Sequence, residues 1–166
     1  MLPTIRKVTI FQKFKGYGSN ETEKVFFEDN EELRNVRIWG MNTYYAGKNS
    51  VTMIKDPNYN LNIITLPRLL HSFLNLYDTN GVNFCKNIPL INFATMQNNS
   101  NDFFEGEKLQ SAVVERDNKF FTGQKLDLQN SFVVINQHFT NTFVLPLEIY
   151  YTRIDLDENN LDKLIK

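Results

Sequence analysis

The dipeptide Asn80-Gly81 lies between two apolar runs, Phe73-Leu74-Asn75-Leu76-Tyr77 and Val82-Asn83-Phe84-Cys85, and limits the fold more than any other feature of the chain. Asn and Gly readily adopt the positive φ that a two-residue hairpin loop requires, so Asp78-Thr79-Asn80-Gly81 is expected to fold one strand back on the next. Strand signals recur along the rest of the chain. The segment 4–14 mixes β-branched and aromatic residues with polar ones in rough alternation and ends at the turn residues Gly16-Tyr17-Gly18-Ser19-Asn20. Extended character returns at Lys24-Val25-Phe26-Phe27. It returns again at Val36-Arg37-Ile38-Trp39 and Asn42-Thr43-Tyr44-Tyr45, which read as one long strand in which Gly40 marks a bulge or a close backbone approach.

Further strands are expected at 50–54, 61–66, 111–115, 131–135 and 142–151, and Pro146 places an edge or a bulge within the last of them. The stretch 68–74 stays open between helix and strand. Pro67 can start a helix, and Leu69, Leu70, Phe73, Leu74 and Tyr77 recur at spacings of three and four, yet the same residues suit a buried strand. Acids early and lysines late in 155–166, with apolar residues at 161, 164 and 165, fit a short amphipathic helix. The polar run 96–102 reads as a loop. The expected architecture is all-β: a single jelly-roll β-sandwich of about eight strands with at most one or two short helices, spanning 1–166 as one domain.

Composition bears on this in three ways. A chain of 166 residues with 42% hydrophobic and 22% charged residues has enough apolar material to fold as one domain. Cys85 is the sole cysteine, so stability must come from the core rather than from a disulfide or a multi-cysteine zinc site. The 22 asparagines beside 14 phenylalanines and 7 tyrosines suit short strands joined by polar turns, although an AT-rich genome would raise the same residues. A net charge of −1 with interspersed signs argues against a polyanion-binding surface. The start of the chain lacks the apolar core of a secretory signal and no run is long enough to span a membrane, which reads as soluble and unprocessed.

Motifs for chemistry are incomplete. Gly16-Tyr17-Gly18 opens like a dinucleotide loop, but Glu21 stands where the third glycine belongs. Asp155, Asp157 and Asn159 begin like a calcium loop, but Asn160 and Lys166 occupy the glycine and bidentate glutamate positions. His71, His138 and Cys85 belong to no nucleophile motif, and read as surface imidazoles and a buried thiol. Glu31-Glu32 and Glu105/Glu107 lie in polar surroundings and read as solvated turns. Asn20-Glu21-Thr22 and Asn98-Asn99-Ser100 match the glycosylation sequon, as asparagine-rich chains do by chance. Trp39, Tyr44, Tyr45 and Tyr59 are candidates for a sugar-stacking platform, against which alternation assigns about half of them to the core. No catalytic, cofactor-binding or metal-binding residue is assigned, and the chain is expected not to be an enzyme.

Two segments carry a resemblance. Leu74-Asn75-Leu76-Tyr77-Asp78-Thr79-Asn80-Gly81 with Asn87-Ile88-Pro89-Leu90, and Gly123-Gln124-Lys125-Leu126-Asp127-Leu128-Gln129-Asn130-Ser131-Phe132-Val133-Val134-Ile135, resemble segments of the jelly-roll capsid proteins of tailless icosahedral bacteriophages, some of them lipid-containing. The resemblance implies a virion structural protein assembled in the host cytoplasm. Major capsid chains of the double jelly-roll group carry two barrels and this chain has strands for one, so a penton (vertex) protein is implied ahead of a minor or spike component. Its partners would be itself, as a homo-oligomer and most readily a pentamer, and other capsid proteins, near a viral membrane. No cofactor, no small-molecule substrate and no direct sequence-specific nucleic acid binding is expected. Extended arms at 1–14 and 155–166 would place Ile5, Phe11, Leu161 and Leu164 in interfaces. The alternative is a carbohydrate- or ligand-binding β-sandwich module.

Overall fold

A computed structural model of the protein describes residues 5–14, 23–46, 62–97, 120–136 and 143–158. These residues form nine strands: β1 (Arg6–Phe14), β2 (Glu23–Phe26), β3 (Val36–Ala46), β4 (Asn62–Ile63), β5 (Ser72–Asp78), β6 (Asn83–Pro89), β7 (Ala94–Gln97), β8 (Gln124–Ile135) and β9 (Phe143–Arg153). A one-turn helix α1 (Leu66–Leu69), 3₁₀ turns at Glu31–Leu33 and Leu90–Phe93, and a π-helical turn at Ile154–Glu158 complete the set.

The pairing pattern defines a wound ribbon. β1 pairs with β9, β2 with β8, β3 with β7 and β5 with β6, so that, β4 aside, partners run from the outermost in sequence to the innermost. Lateral pairing of β9 with β3 and of β8 with β5 gathers the ribbon into two sheets, β1-β9-β3-β7 and β2-β8-β5-β6. This is the jelly-roll arrangement, with two departures: β7 runs parallel to β3, and the two-residue β4 adds to the end of β9. One core joins the sheets, drawing Ile38, Val144 and Leu147 from the first and Leu74, Cys85 and Val133 from the second. The all-β expectation holds.

Details of the chain explain how the strands reach these places. The hairpin at 78–82 is closed by a three-residue loop rather than the expected two-residue one. Asp78 N–H donates to the Val82 carbonyl at 2.9 Å, and the Asp78 carboxylate accepts from the backbone N–H of both Asn80 and Val82. Gly81 alone in this loop has positive φ (81°), so Asn80 contributes polarity and Gly81 the left-handed backbone. The ambiguous stretch 68–74 is divided between its two readings. Helix α1 ends at Leu69, the Ser72 hydroxyl donates to the Arg68 carbonyl at 2.9 Å, and β5 begins at once.

Gly40 follows a bulge, as expected, with Trp39 the extra residue of β3. The indole packs over Gly123 at the start of β8: a Cβ there would lie 2.6 Å from the ring, and φ is 83°. Gly123 N–H donates to the Ile38 carbonyl, and Gln124 brackets the turn through Thr122 N–H and the Phe120 carbonyl. β8 therefore starts against β3 and then crosses to β5 and β2. Where it bends, opposite Leu76, the Ser131 hydroxyl accepts from Tyr77 N–H and donates to the Asp127 carbonyl, replacing ladder bonds that the irregularity removes.

Three expectations need correction. Pro146 lies in a central strand, between β1 and β3, and not at an edge. It is tolerated because its polar side falls between the last β3 pair (Thr43–Leu147) and the β4 pair at Val144, where no ladder donor is needed; the Thr43 hydroxyl caps its carbonyl at 2.6 Å. Residues 6–14 of the expected N-terminal arm are an integral strand, paired with β9 along its whole length and anchored by Phe14 stacked on Phe143 at 5.1 Å. The start of the expected terminal helix is a π-helical turn, and 159–166 lie outside the described residues. The strands expected at 50–54 and 111–115 and the turn at 16–20 also lie outside them.

Candidate assembly surfaces

The residues expected to form interfaces are treated differently by the fold. Ile5 is 43% exposed at the start of β1, next to the end of β9, because Arg6 pairs with Tyr151. Phe11 is half-buried and packs on the core, so it stabilises the subunit. Leu161 and Leu164 lie outside the described residues. Sequence reasoning missed Leu156, 47% exposed on the π-helical turn at the same end of the first sheet as Ile5. There Arg153 holds Asp155 at 3.0 Å, and the sequence continues with Asp157 and Glu158.

A second apolar surface lies on the outer face of the second sheet. In β2, Val25 points to the core and Lys24 and Phe26 point away, opposite Val134 and Phe132 of β8. Phe26 is 49% exposed. Its ring lies 5.4 Å from that of Phe132, which in turn lies 6.0 Å from Tyr77. The Lys24 ammonium sits 3.9 Å above Phe132 and 5.0 Å from Phe26. A cation over aromatic faces is attracted by their quadrupoles; here Phe132 is buried under Lys24 and Phe26 stays exposed. The signal for this patch was present in the sequence: adjacent Phe26 and Phe27 near a strand end cannot both face the core.

Of the aromatic residues considered for sugar stacking, the described ones are engaged within the subunit, Tyr45 being half-buried against the core. Tyr44 is buried, its hydroxyl donating to Glu148 at 2.9 Å, and the Trp39 indole N–H donates to Thr152 at 2.9 Å while its ring covers Gly123. Tyr59 lies outside the described residues.

Glu148 itself is the most unusual polar group in the fold. It stands opposite Asn42 in the β3–β9 ladder, is 2% exposed, and accepts from Tyr150 at 3.0 Å as well as from Tyr44. Burial, then the Glu148 charge, pushes both phenols well above the ordinary tyrosine range. The Tyr44 bond ties β3 to β9, the Tyr150 bond lies within β9, and both tyrosines stay protonated. They act as a structural pin.

Cys85 is buried opposite Leu76, its pKa pushed up to about 12 by burial; His71 is exposed, and His138 lies outside the described residues. Among the described residues no three of His, Cys, Asp and Glu are placed to hold a metal ion. A polar cleft of about 350 Å³ lies between the 29–35 turn and β8, lined by Asp29, Arg34, Asn35, Asp127 and Gln129. Asp29 and Arg34 pair across its rim, which holds the Asp29 carboxyl below its usual range, and the Asn130 amide donates to Asp127 at 2.6 Å. The Asp29 and Arg34 charges are thus matched within the chain, and Asp127 accepts from a neutral amide. The chain matches no protein-family model, and comparison with curated proteins and with solved structures returns no match.

Proposed function

We propose that the protein is a non-enzymatic capsid component, a single jelly roll that self-associates at the vertices of an icosahedral virion. The observation that carries the reading is the outermost-to-innermost strand pairing, a form used repeatedly by shell proteins because its rigid sheets present loops and faces to symmetric neighbours. The two segments that resemble phage capsid proteins support it further. They occupy the hairpin at 78–82 and the strand β8 that crosses between sheets, and Asp78, Gly81, Gly123 and Ser131 all have definite roles there. Phe26, 49% exposed, supplies apolar contact area.

The test is the mass of the purified full chain in solution, followed by electron microscopy. A pentamer or a larger closed assembly is the expected result. A monomer at every attainable concentration that binds glycans or turns over a substrate would overturn the reading.

A further inference from the structure

Asn80-Gly81 is the one Asn-Gly pair among the 22 asparagines of the chain, and the fold sets it in a solvent-facing loop: both residues are exposed, and a Cβ built on Gly81 would meet nothing within 4 Å. An asparagine followed by glycine is the pair most prone to cyclise, because no side chain on the second residue hinders attack of its nitrogen on the asparagine amide. In this loop that nitrogen is held. Gly81 N–H donates to the Asp78 carbonyl at 3.0 Å, the Asp78 carboxylate accepts from Asn80 N–H and Val82 N–H at 2.9 Å each, and Thr79 N–H donates to the Lys125 carbonyl of β8 at 2.9 Å. We propose that Asn80 is a self-modification site that converts to aspartate and isoaspartate when the hairpin loop opens, and that the Asp78 clamp sets how often it opens.

The conversion needs only water. The Gly81 nitrogen gives its proton to solvent and bonds to Asn80 Cγ, while the bond from Cγ to the side-chain nitrogen breaks and that nitrogen leaves as ammonia, taking a proton back from solvent. Water then opens the cyclic imide, at Cγ to give aspartate or at the main-chain carbonyl carbon to give isoaspartate; nothing is oxidised or reduced. Attack requires a Gly81 nitrogen free of its proton and swung onto Cγ. The bond to the Asp78 carbonyl opposes both, so the loop must release Gly81 first. Either product works against reclosure. A carboxylate at 80 repels that of Asp78, which accepts the N–H of the same residue, and isoaspartate adds a methylene to the main chain of a loop whose ends are fixed by Asp78 N–H on the Val82 carbonyl.

The experiment follows the full chain by mass spectrometry with peptide mapping during incubation in mildly alkaline buffer, both folded and unfolded in guanidinium. Residue 80 of the folded wild type is expected to convert at least about tenfold more slowly than that of the unfolded chain, since only the open fraction reacts. Asp78→Ala removes the acceptor of two N–H groups, and should raise the folded rate by about tenfold while leaving the unfolded rate unchanged. Asp78→Asn keeps a neutral acceptor and should fall between the two; it serves if the alanine variant does not fold. Asn80→Gln should abolish conversion at 80, because its cyclisation needs a larger ring. Equal rates in the folded and unfolded wild type, or a folded rate that the Asp78 variants leave unchanged, would overturn the clamp. An unfolded chain that does not convert at 80 would overturn the site itself.

Discussion

β9 and β2 show what the two sheets are for. Ten of the eleven residues of β9 are buried, so both faces of that strand are covered, and its polar members are satisfied within the chain: Glu148 by two tyrosines, Thr152 by Trp39, the Pro146 carbonyl by Thr43. β2 packs a half-buried Val25 against the core and leaves Phe26 half in solvent under Lys24. The first sheet is completed by its own subunit. The second carries on its outer face an exposed Phe26 that meets the chain only through Phe132 and Lys24 among the described contacts, so it adds less to folding than a core residue.

The comparison breaks first at Glu148. Replacing it with Ala leaves two buried phenols without an acceptor, and urea denaturation should show a loss of about 3–5 kcal/mol; Glu148→Gln, which keeps a carbonyl for one of them, should lose less. A loss under about 1 kcal/mol for the Ala variant would mean the pin is dispensable. Next comes Gly123, where a Cβ meets the Trp39 ring at 2.6 Å on a left-handed backbone. Gly123→Ala should cost about 3 kcal/mol by the same measurement, and pairing it with Trp39→Leu should recover part of that.

Alkali probes the buried acids of both sheets. Tyr44, Tyr150 and Cys85 have pKa values raised by burial, so their share of stability is held below the ordinary thiol and phenol values and is lost as the pH rises through the shifted ones. The melting temperature should be level up to about pH 9 and fall steadily toward pH 12; a level profile across that range would place these groups in solvent. Gly81→Val should cost about 1 kcal/mol, because its Cβ would meet nothing within 4 Å and only the backbone is strained. The smallest effect is expected on the outer face of the second sheet. Phe26→Ser should change subunit stability by less than about 0.5 kcal/mol at concentrations where the protein is monomeric, in contrast to any β9 core substitution.

Local signals in the sequence determined the elements that depend on local physics. Asp78 through Gly81 specified a hairpin, because an Asx side chain and a glycine act within five residues; alternation specified β1, β2 and β3, and Gly40 marked the bulge. Trp39, Tyr44 and Tyr45 were legible as strand aromatics, but not which of them faced a partner. Tertiary structure alone decided the rest. The three-residue loop depends on how β5 and β6 register, and the fate of Pro146 depends on where β9 exchanges β3 for β4. Glu148 looked like one carboxylate in a strand until β3 brought Tyr44, 104 residues away in sequence, to meet it. The same holds for the candidate surfaces: exposure belongs to a folded whole, so Phe11 went to the core while Leu156 and Phe26 were left outside, although each is simply an apolar residue beside polar ones along the chain.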